Sequence, residues 1–344
     1  MSEMNYLQWL SSNTGTAWWH DSGDPKELER GLANGAVGVT TNPVLSAQAL
    51  KANKDFWCKD IRKVLDTENN PRAKAESLMK IVVTHAARAV EPAFRATNGV
   101  HGYACAQVDP AFAGNREGMY EQATRFNTWG PNIAIKLPAT LAGLDVMEKC
   151  CAEGMATTIT VSFCVPQVWA IGSRYQKVLN AARPGAKVGK CFSVVMIGRL
   201  DDYLRDVFAD NQEPISESEL RMAGLSVVKH AYQLYRQNGF QAMLLIAALR
   251  GNYHMTGLAG GALTMSIHPS IQKTLLEEKA ERKEGIDVPI PPAVQEKLYR
   301  SPEFRKAFEK DGLSEKELIS FGVTQKTLAQ FTETGWRPLE QFSL

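Results

Sequence analysis

A chain of 344 residues with 44% apolar and 22% charged side chains is long enough for one large α/β domain or two small ones, with the make-up of an ordinary globular protein. Its 39 basic residues against 37 acidic ones leave a net charge of +2, and no dense Lys/Arg run with interleaved aromatics occurs, so a nucleic-acid partner is not expected. No run of about 18 apolar residues is present, which argues against a membrane partner.

The N-terminal Met1-Ser2-Glu3-Met4 lacks the basic-then-apolar pattern of a signal peptide. The six cysteines, Cys58, Cys105, Cys150, Cys151, Cys164 and Cys191, show no CxxC spacing. Buried free thiols in a reducing cytoplasm are expected, with no metal site and no cofactor.

In chain order, a strand at 16–20 runs into Asp21-Ser22-Gly23-Asp24, where Asp24 caps a helix over 26–33 that has Pro25 in its first turn. A second strand, 37–41, leads to Asn42-Pro43 and a helix over 45–52. Pro71 opens a long amphipathic helix that Glu91-Pro92 should end or kink. The third strand is 103–108, and a helix follows at 117–128. The stretch 132–140 reads as a short buried strand: Ile133 and Ile135 alternate with Ala134 and Lys136, and Pro138 ends it. A helix at 142–152 precedes the fifth strand, 157–163, and a helix at 166–182 precedes the sixth, 191–197. After a clear helix at 218–237 come the seventh strand, 242–249, a Gly-rich stretch at 257–262, the eighth strand, 263–267, and a helix at 270–283.

Eight β-then-α units favour a (β/α)8 TIM barrel, and no glycine-rich dinucleotide fingerprint supports an open doubly wound sheet. The chain is read as one domain, 1–344, with the barrel at about 16–283 and a helical cover over 285–344. In that cover Ser314 and Glu317 form a candidate capping box, and Thr324 is a candidate cap of the last helix. Exposed Trp or Met residues on outer helices would suit a homodimer interface.

Barrel chemistry sits at the C-terminal ends of strands. Those ends carry Asp21, Asn42, Gln107 with Asp109, Lys136, Thr158 with Thr160, Arg199, Arg250 and His268. Burial of Lys136 on its strand would favour the neutral amine, able to attack a sugar carbonyl as a Schiff-base nucleophile. Arg199 and Arg250 each stand beside a glycine, so guanidinium and backbone donors could converge on a substrate anion. Phosphate is the first choice; sulfonate or carboxylate would satisfy the same donors.

The segments Asp21-Ser22-Gly23-Asp24, Gly38-Val39-Thr40-Thr41-Asn42-Pro43, Ile135-Lys136-Leu137-Pro138-Ala139-Thr140, Glu153-Gly154 leading to Thr158-Ile159-Thr160, and Ile197-Gly198-Arg199-Leu200-Asp201-Asp202 resemble the transaldolase family over about residues 16–280. The resemblance implies a metal-free class I aldolase mechanism in a cytoplasmic enzyme of pentose phosphate type metabolism. Lys136 would form the Schiff base with a ketose, and Asp21 would take the proton from its C4 hydroxyl. Thr160 would hold a water that shuttles protons. Asn42, with Thr41 beside it, and Thr158 would contact the substrate, and Arg199 and Arg250 would grip its phosphate. A dihydroxyacetone unit would stay on Lys136 as an enamine until an acceptor aldehyde arrives.

The chain also departs from the pattern. Typical transaldolases carry a glutamate where Gln107 stands, and an amide can orient a water but cannot accept its proton. The fructose-6-phosphate aldolase branch shares the glutamine but pairs it with a tyrosine, where this chain has Met196. Thr158 replaces an asparagine, and Val194 and Ala248 replace serines. Asp109 and His20 are further candidates for proton transfer. The expected activity is transfer of a dihydroxyacetone unit between sugars; the alternatives are simple aldol cleavage, a different anionic sugar, or a catalytically silent sugar-binding barrel.

Overall fold

The computed structural model describes residues 4–344; Met1 to Glu3, part of the stretch read against a signal peptide, lie outside the described residues. Seven strands form one parallel sheet: β1 Ala17–His20, β2 Ala104–Gln107, β3 Ile133–Pro138, β4 Ala156–Thr160, β5 Cys191–Met196, β6 Met243–Ala247 and β7 Thr264–Ile267. Their order is β1-β7-β6-β5-β4-β3-β2. Helices alternate with them, and β2, β3 and β5 are buried throughout, as expected of parallel strands covered on both faces.

The sheet curls. Val39 forms one parallel bridge to His20 of β1 and another to Ala104 of β2, the two ends of the strand order. The architecture is therefore TIM-barrel-like, but the eight regular strands expected are seven: the stretch 37–41 is reduced to a single bridging residue. It nevertheless bonds on both sides. The Val37 and Thr40 amides donate to Trp18 and His20 carbonyls, each at 2.9 Å, and the Val39 amide donates to Tyr103 O at 2.8 Å. Gly38 is required here, because a Cβ would stand 2.6 Å from the Trp19 indole.

Which side chains point into the curl follows from two contacts and the register. Trp19 on β1 and Phe192 on β5 are not sheet neighbours, yet their rings meet at 4.7 Å, so both point inward. Directly paired residues share a face, and alternate residues on a strand return to it. Phe192 pairs with Thr158, Thr158 with Lys136, and Lys136 with Gln107. All four therefore face inward, as do Thr160 and Met196 further up their strands. Asp21 lies two residues beyond Trp19, so it takes the same face.

Several boundaries moved. The helix Pro71–Ala96 carries Pro92 inside it instead of stopping there. Proline at that position frees only the carbonyl of Arg88, an exposed residue, so water can satisfy it. Helices Tyr6–Asn13 and Lys54–Thr67 were not expected. Asp24 caps its helix through the Lys26 and Glu27 amides. Ser314 and Glu317 do pair, but the chain beyond them forms turns, and Thr324 lies inside helix Gly322–Phe331 instead of capping it. The C-terminal helices return over the sheet: a π turn, Thr332–Trp336, brings Gly335 so close to helix Pro43–Ala52 that a Cβ would lie 2.8 Å from the Val44 nitrogen.

Candidate active site

Lys136 is 5% exposed, inside a strand that is buried from Ile133 to Pro138. Among the described residues its ammonium makes no hydrogen bond or ion pair. The carboxylate that feels its charge most directly is Asp21. Burial pushes the Asp21 carboxyl above the ordinary carboxylate range; the Lys136 charge, then His268, then the hydroxyls of Ser266 and Thr40 pull partway back. Those two hydroxyls are bonded to each other, which fixes them beneath the carboxylate.

Gln107, 3% exposed, stands directly across from Lys136, and its Oε1 has no protein partner. Thr158 flanks Lys136 on the other side, where the Cys105 thiol reaches it at 3.6 Å. Thr160 Oγ1 lies 3.7 Å from Met196 Sδ. Asn42 caps helix Pro43–Ala52 by accepting the Leu45 amide at 2.9 Å, which leaves its amide NH2 for another partner. Thr41 is not part of this group: its hydroxyl donates to the Cys105 carbonyl at 2.5 Å, on the opposite side of the chain from Asn42.

The other wall carries the arginines. Arg250 donates from Nε and Nη2 to Asp202 Oδ2, at 3.0 and 2.6 Å, and from Nη1 to the Ala248 carbonyl at 2.8 Å. Burial opposes ionisation of Asp202, but the Arg250 and Arg205 guanidinium groups together outweigh it and hold the carboxyl low. Arg199 donates from Nη1 to Gln330 Oε1 and lies over the Phe331 ring at 5.4 Å, while its Nε is buried without a partner. Burial, then the Arg250 charge, disfavour its cation, and Asp202 partly compensates. A Cβ on Gly198 would lie 2.4 Å from the Arg250 side chain, so the glycine lets the two arginine-bearing turns approach.

Some of these neighbours carried no functional signal in sequence. Gln330 reaches Arg199 from helix Gly322–Phe331. Behind Arg250, fully buried His254 accepts the Arg250 amide at Nδ1, 3.1 Å, and its Nε2 meets fully buried Asp201 at 2.8 Å. Two proton-transfer candidates are engaged elsewhere. The Nδ1 of His20 lies 3.1 Å from Gln272 Nε2 and packs against Gly31 of the helix layer, and burial pushes its pKa down to about 4. Asp109 pairs with Arg72 at 2.9 Å and caps the turn Pro110–Phe112.

A cavity of about 860 Å³ lies elsewhere. Tyr103, Ile133, Ala156 and Lys190 line it, residues at the starts of β2 to β5, so it opens at the N-terminal end of the sheet. The polar cluster, not this cavity, occupies the end where such folds carry chemistry.

Fold and cluster together define a TIM-barrel-like α/β protein with ionisable groups gathered at its C-terminal mouth. The chain belongs to the Transaldolase/Fructose-6-phosphate aldolase family, whose model matches residues 18–333. Among curated relatives it is similar to a transaldolase of Arthrobacter sp. (strain FB24), 27% identical over 66% of this chain and 64% of the relative. A transaldolase of Acidothermus cellulolyticus is 31% identical over 44% of this chain and 39% of its own length. A probable transaldolase of Dehalococcoides mccartyi is 26% identical over 70% and 80%. The chain thus spans less than two thirds of the length of the first two.

Proposed function

We propose that the protein is a transaldolase, carrying a dihydroxyacetone unit between sugars on Lys136. The observation that carries the reading is the placement of Lys136: a buried strand lysine at the mouth, without a protein hydrogen bond, facing a carboxylate that burial has made more basic. The reading takes the chain as one domain, a barrel closed at its eighth position by the stretch around Val39, with the C-terminal helices as cover.

In the proposed reaction the Lys136 ammonium gives up a proton, the amine adds to the ketose carbonyl, and that proton returns to the carbinolamine hydroxyl so that water leaves and a cationic imine forms. Asp21 takes the C4 hydroxyl proton, the C3–C4 bond breaks, and its electron pair moves to the imine nitrogen to give the enamine. The imine cation is the electron sink, and holding the enamine in place replaces a bimolecular encounter. The acceptor aldehyde then reverses these steps, recovering its proton from Asp21. Thr160 and Gln107 orient the water that serves imine formation. Asn42 and Thr158 contact sugar hydroxyls, and Arg199 and Arg250 receive the anion. A sugar phosphate suits two adjacent guanidinium groups.

Simple aldol cleavage is the second reading. Gln107 favours it, because the fructose-6-phosphate aldolase branch, which the chain resembles at this position, also carries a glutamine there. Borohydride reduction in the presence of a dihydroxyacetone-containing ketose tests both: a mass adduct at Lys136 is expected, and its absence across a panel of such ketoses would defeat them. Product release without an acceptor aldehyde would select the aldolase.

A further inference from the structure

His268 has no part in the reaction as written, yet it occupies the mouth. The register pairs Trp19 with Ser266 and His20 with Ile267, and the Asp21 amide donates to Ile267 O at 3.2 Å. The next pair is Asp21 with His268. His268 keeps an extended backbone, φ −65° and ψ 143°, so the strand alternation carries its Cβ to the side of Ser266 and Asp21, and its side chain stands close enough for its charge to act on both Asp21 and His20. Unlike buried Ser266, it is exposed, as a group at the open end must be to meet substrate. In the strand order β7 and β3 are four places apart, so His268 and Lys136 stand on opposite walls, with Asp21 on the neighbouring β1.

The ring has a defined donor. The Ser270 amide, which can only donate, points at His268 Nδ1 at 3.2 Å, and Ser270 Oγ lies 2.8 Å from the same nitrogen. Nδ1 is therefore the acceptor, and the neutral imidazole carries its proton on Nε2, on the edge of the ring away from helix Pro269–Glu277. Among the described residues no acceptor meets Nε2.

We propose that His268 is a catalytic residue, its Nε2–H donating a hydrogen bond to the oxygen that is the C4 hydroxyl in the ketose and the carbonyl oxygen in the aldehyde. The proposal rests on the Schiff-base reading above. Asp21 removes the O–H proton, the C3–C4 pair moves to the imine, and the oxygen, now a carbonyl, keeps the Nε2–H bond. In the reverse direction that bond polarises the acceptor aldehyde while the enamine attacks, and Asp21 returns the proton. No proton is transferred to or from His268, so the step balances without it. A fixed donor aimed at developing charge lowers the barrier more than a mobile water does. The role is separate from imine formation, which occurs at Lys136 on the far wall.

His268→Asn separates the two. Asparagine is as good an N-cap, so helix Pro269–Glu277 keeps its start, but the donor at the Nε2 position is lost. Two steps are read on wild type and variant: borohydride trapping of dihydroxyacetone at Lys136, which needs only imine formation, and release of glyceraldehyde 3-phosphate from fructose 6-phosphate, which needs cleavage. The expected result is unchanged trapping and unchanged melting temperature with cleavage slowed roughly ten- to a hundredfold. Cleavage within about twofold of wild type in the folded variant would overturn the proposal. So would an equal fall in trapping and cleavage, the mark of a merely structural role; His268→Ser, which also caps a helix and lacks a donor at that reach, is read on the same axes if His268→Asn does not fold. A wild type that forms no adduct would overturn the Schiff-base reading, and this proposal with it.

Discussion

The two walls of the mouth differ in how far their functional groups are already satisfied. On the β2–β4 side, among the described residues, neither the Lys136 ammonium nor Gln107 Oε1 has a hydrogen-bonding partner. On the β5–β6 side, Arg250 is held by Asp202 and Arg199 by Gln330. The first wall presents unspent chemistry to whatever enters. The second must share or exchange its partners, so an anion gains only the difference between its own bonds and those it displaces. On the proposed reading, the carbon–carbon step therefore has its groups free in advance, whereas anion recognition does not.

The largest effect belongs to the first wall. Lys136→Ala should abolish the borohydride adduct and lower turnover by on the order of a thousandfold or more, as loss of a nucleophile does. A variant that kept the adduct would place the nucleophile elsewhere and erase the contrast. Asp21→Asn should lower kcat by about 10²–10⁴ while leaving the adduct intact, because it removes the base and not the amine. Its stability effect has a definite sign. A folded-state pKa above the unfolded one means that folding favours the protonated carboxyl, so stability is greatest below the unfolded value and falls as pH rises through the folded one. Removing the charge should raise the melting temperature at about pH 7, with a gain that shrinks towards about pH 4. For the same reason the acid limb of wild-type kcat/KM should lie above the ordinary carboxylate range.

The second wall yields smaller effects and a ranking. Arg199 retains a buried Nε without a partner, whereas the donors of Arg250 go to Asp202 and the Ala248 carbonyl. Arg199→Ala should raise KM for fructose 6-phosphate by roughly ten- to a hundredfold, the worth of a charge-assisted hydrogen bond. Arg250→Ala should raise it less, and neither should alter trapping of dihydroxyacetone, which carries no anion. The reverse order in steady-state assays would show that the Asp202 pair opens on binding.

How much of this was legible in sequence follows the range of each interaction. Lys136 and Gln107 could be placed because strand alternation and a terminating proline are local signals. The stretch 37–41 reads as a strand from its β-branched residues, but only Val39 forms bridges, since Asn42-Pro43 starts the next helix almost at once. Helix Lys54–Thr67 buries only Trp57 and Ile61, too thin an apolar stripe to stand out among its charges. The Arg199–Gln330 contact joins residues 131 apart, and His254 meets Asp201 across 53, so no local pattern announces either. The pairing of Arg250 with Asp202 and of Arg199 with Gln330 is a tertiary fact, which is why the arginines read in sequence as a ready anion site.

The smallest expected effect falls on Gln107, where stability and activity should move in opposite directions. A buried acceptor without a protein partner costs about 1–3 kcal/mol. Gln107→Met keeps the length of the side chain and removes both polar atoms, so chemical denaturation should show a fold more stable by about 1 kcal/mol, after allowance for the lost amide donor. If Gln107 orients the water of imine formation, the rate of adduct formation at Lys136 should fall in the same variant, while cleavage from a preformed imine should not. A gain in stability with no change in trapping rate would make Gln107 a passive wall residue, and Lys136 would then be the first wall's one reactive group, with Asp21 supplied from beyond β1.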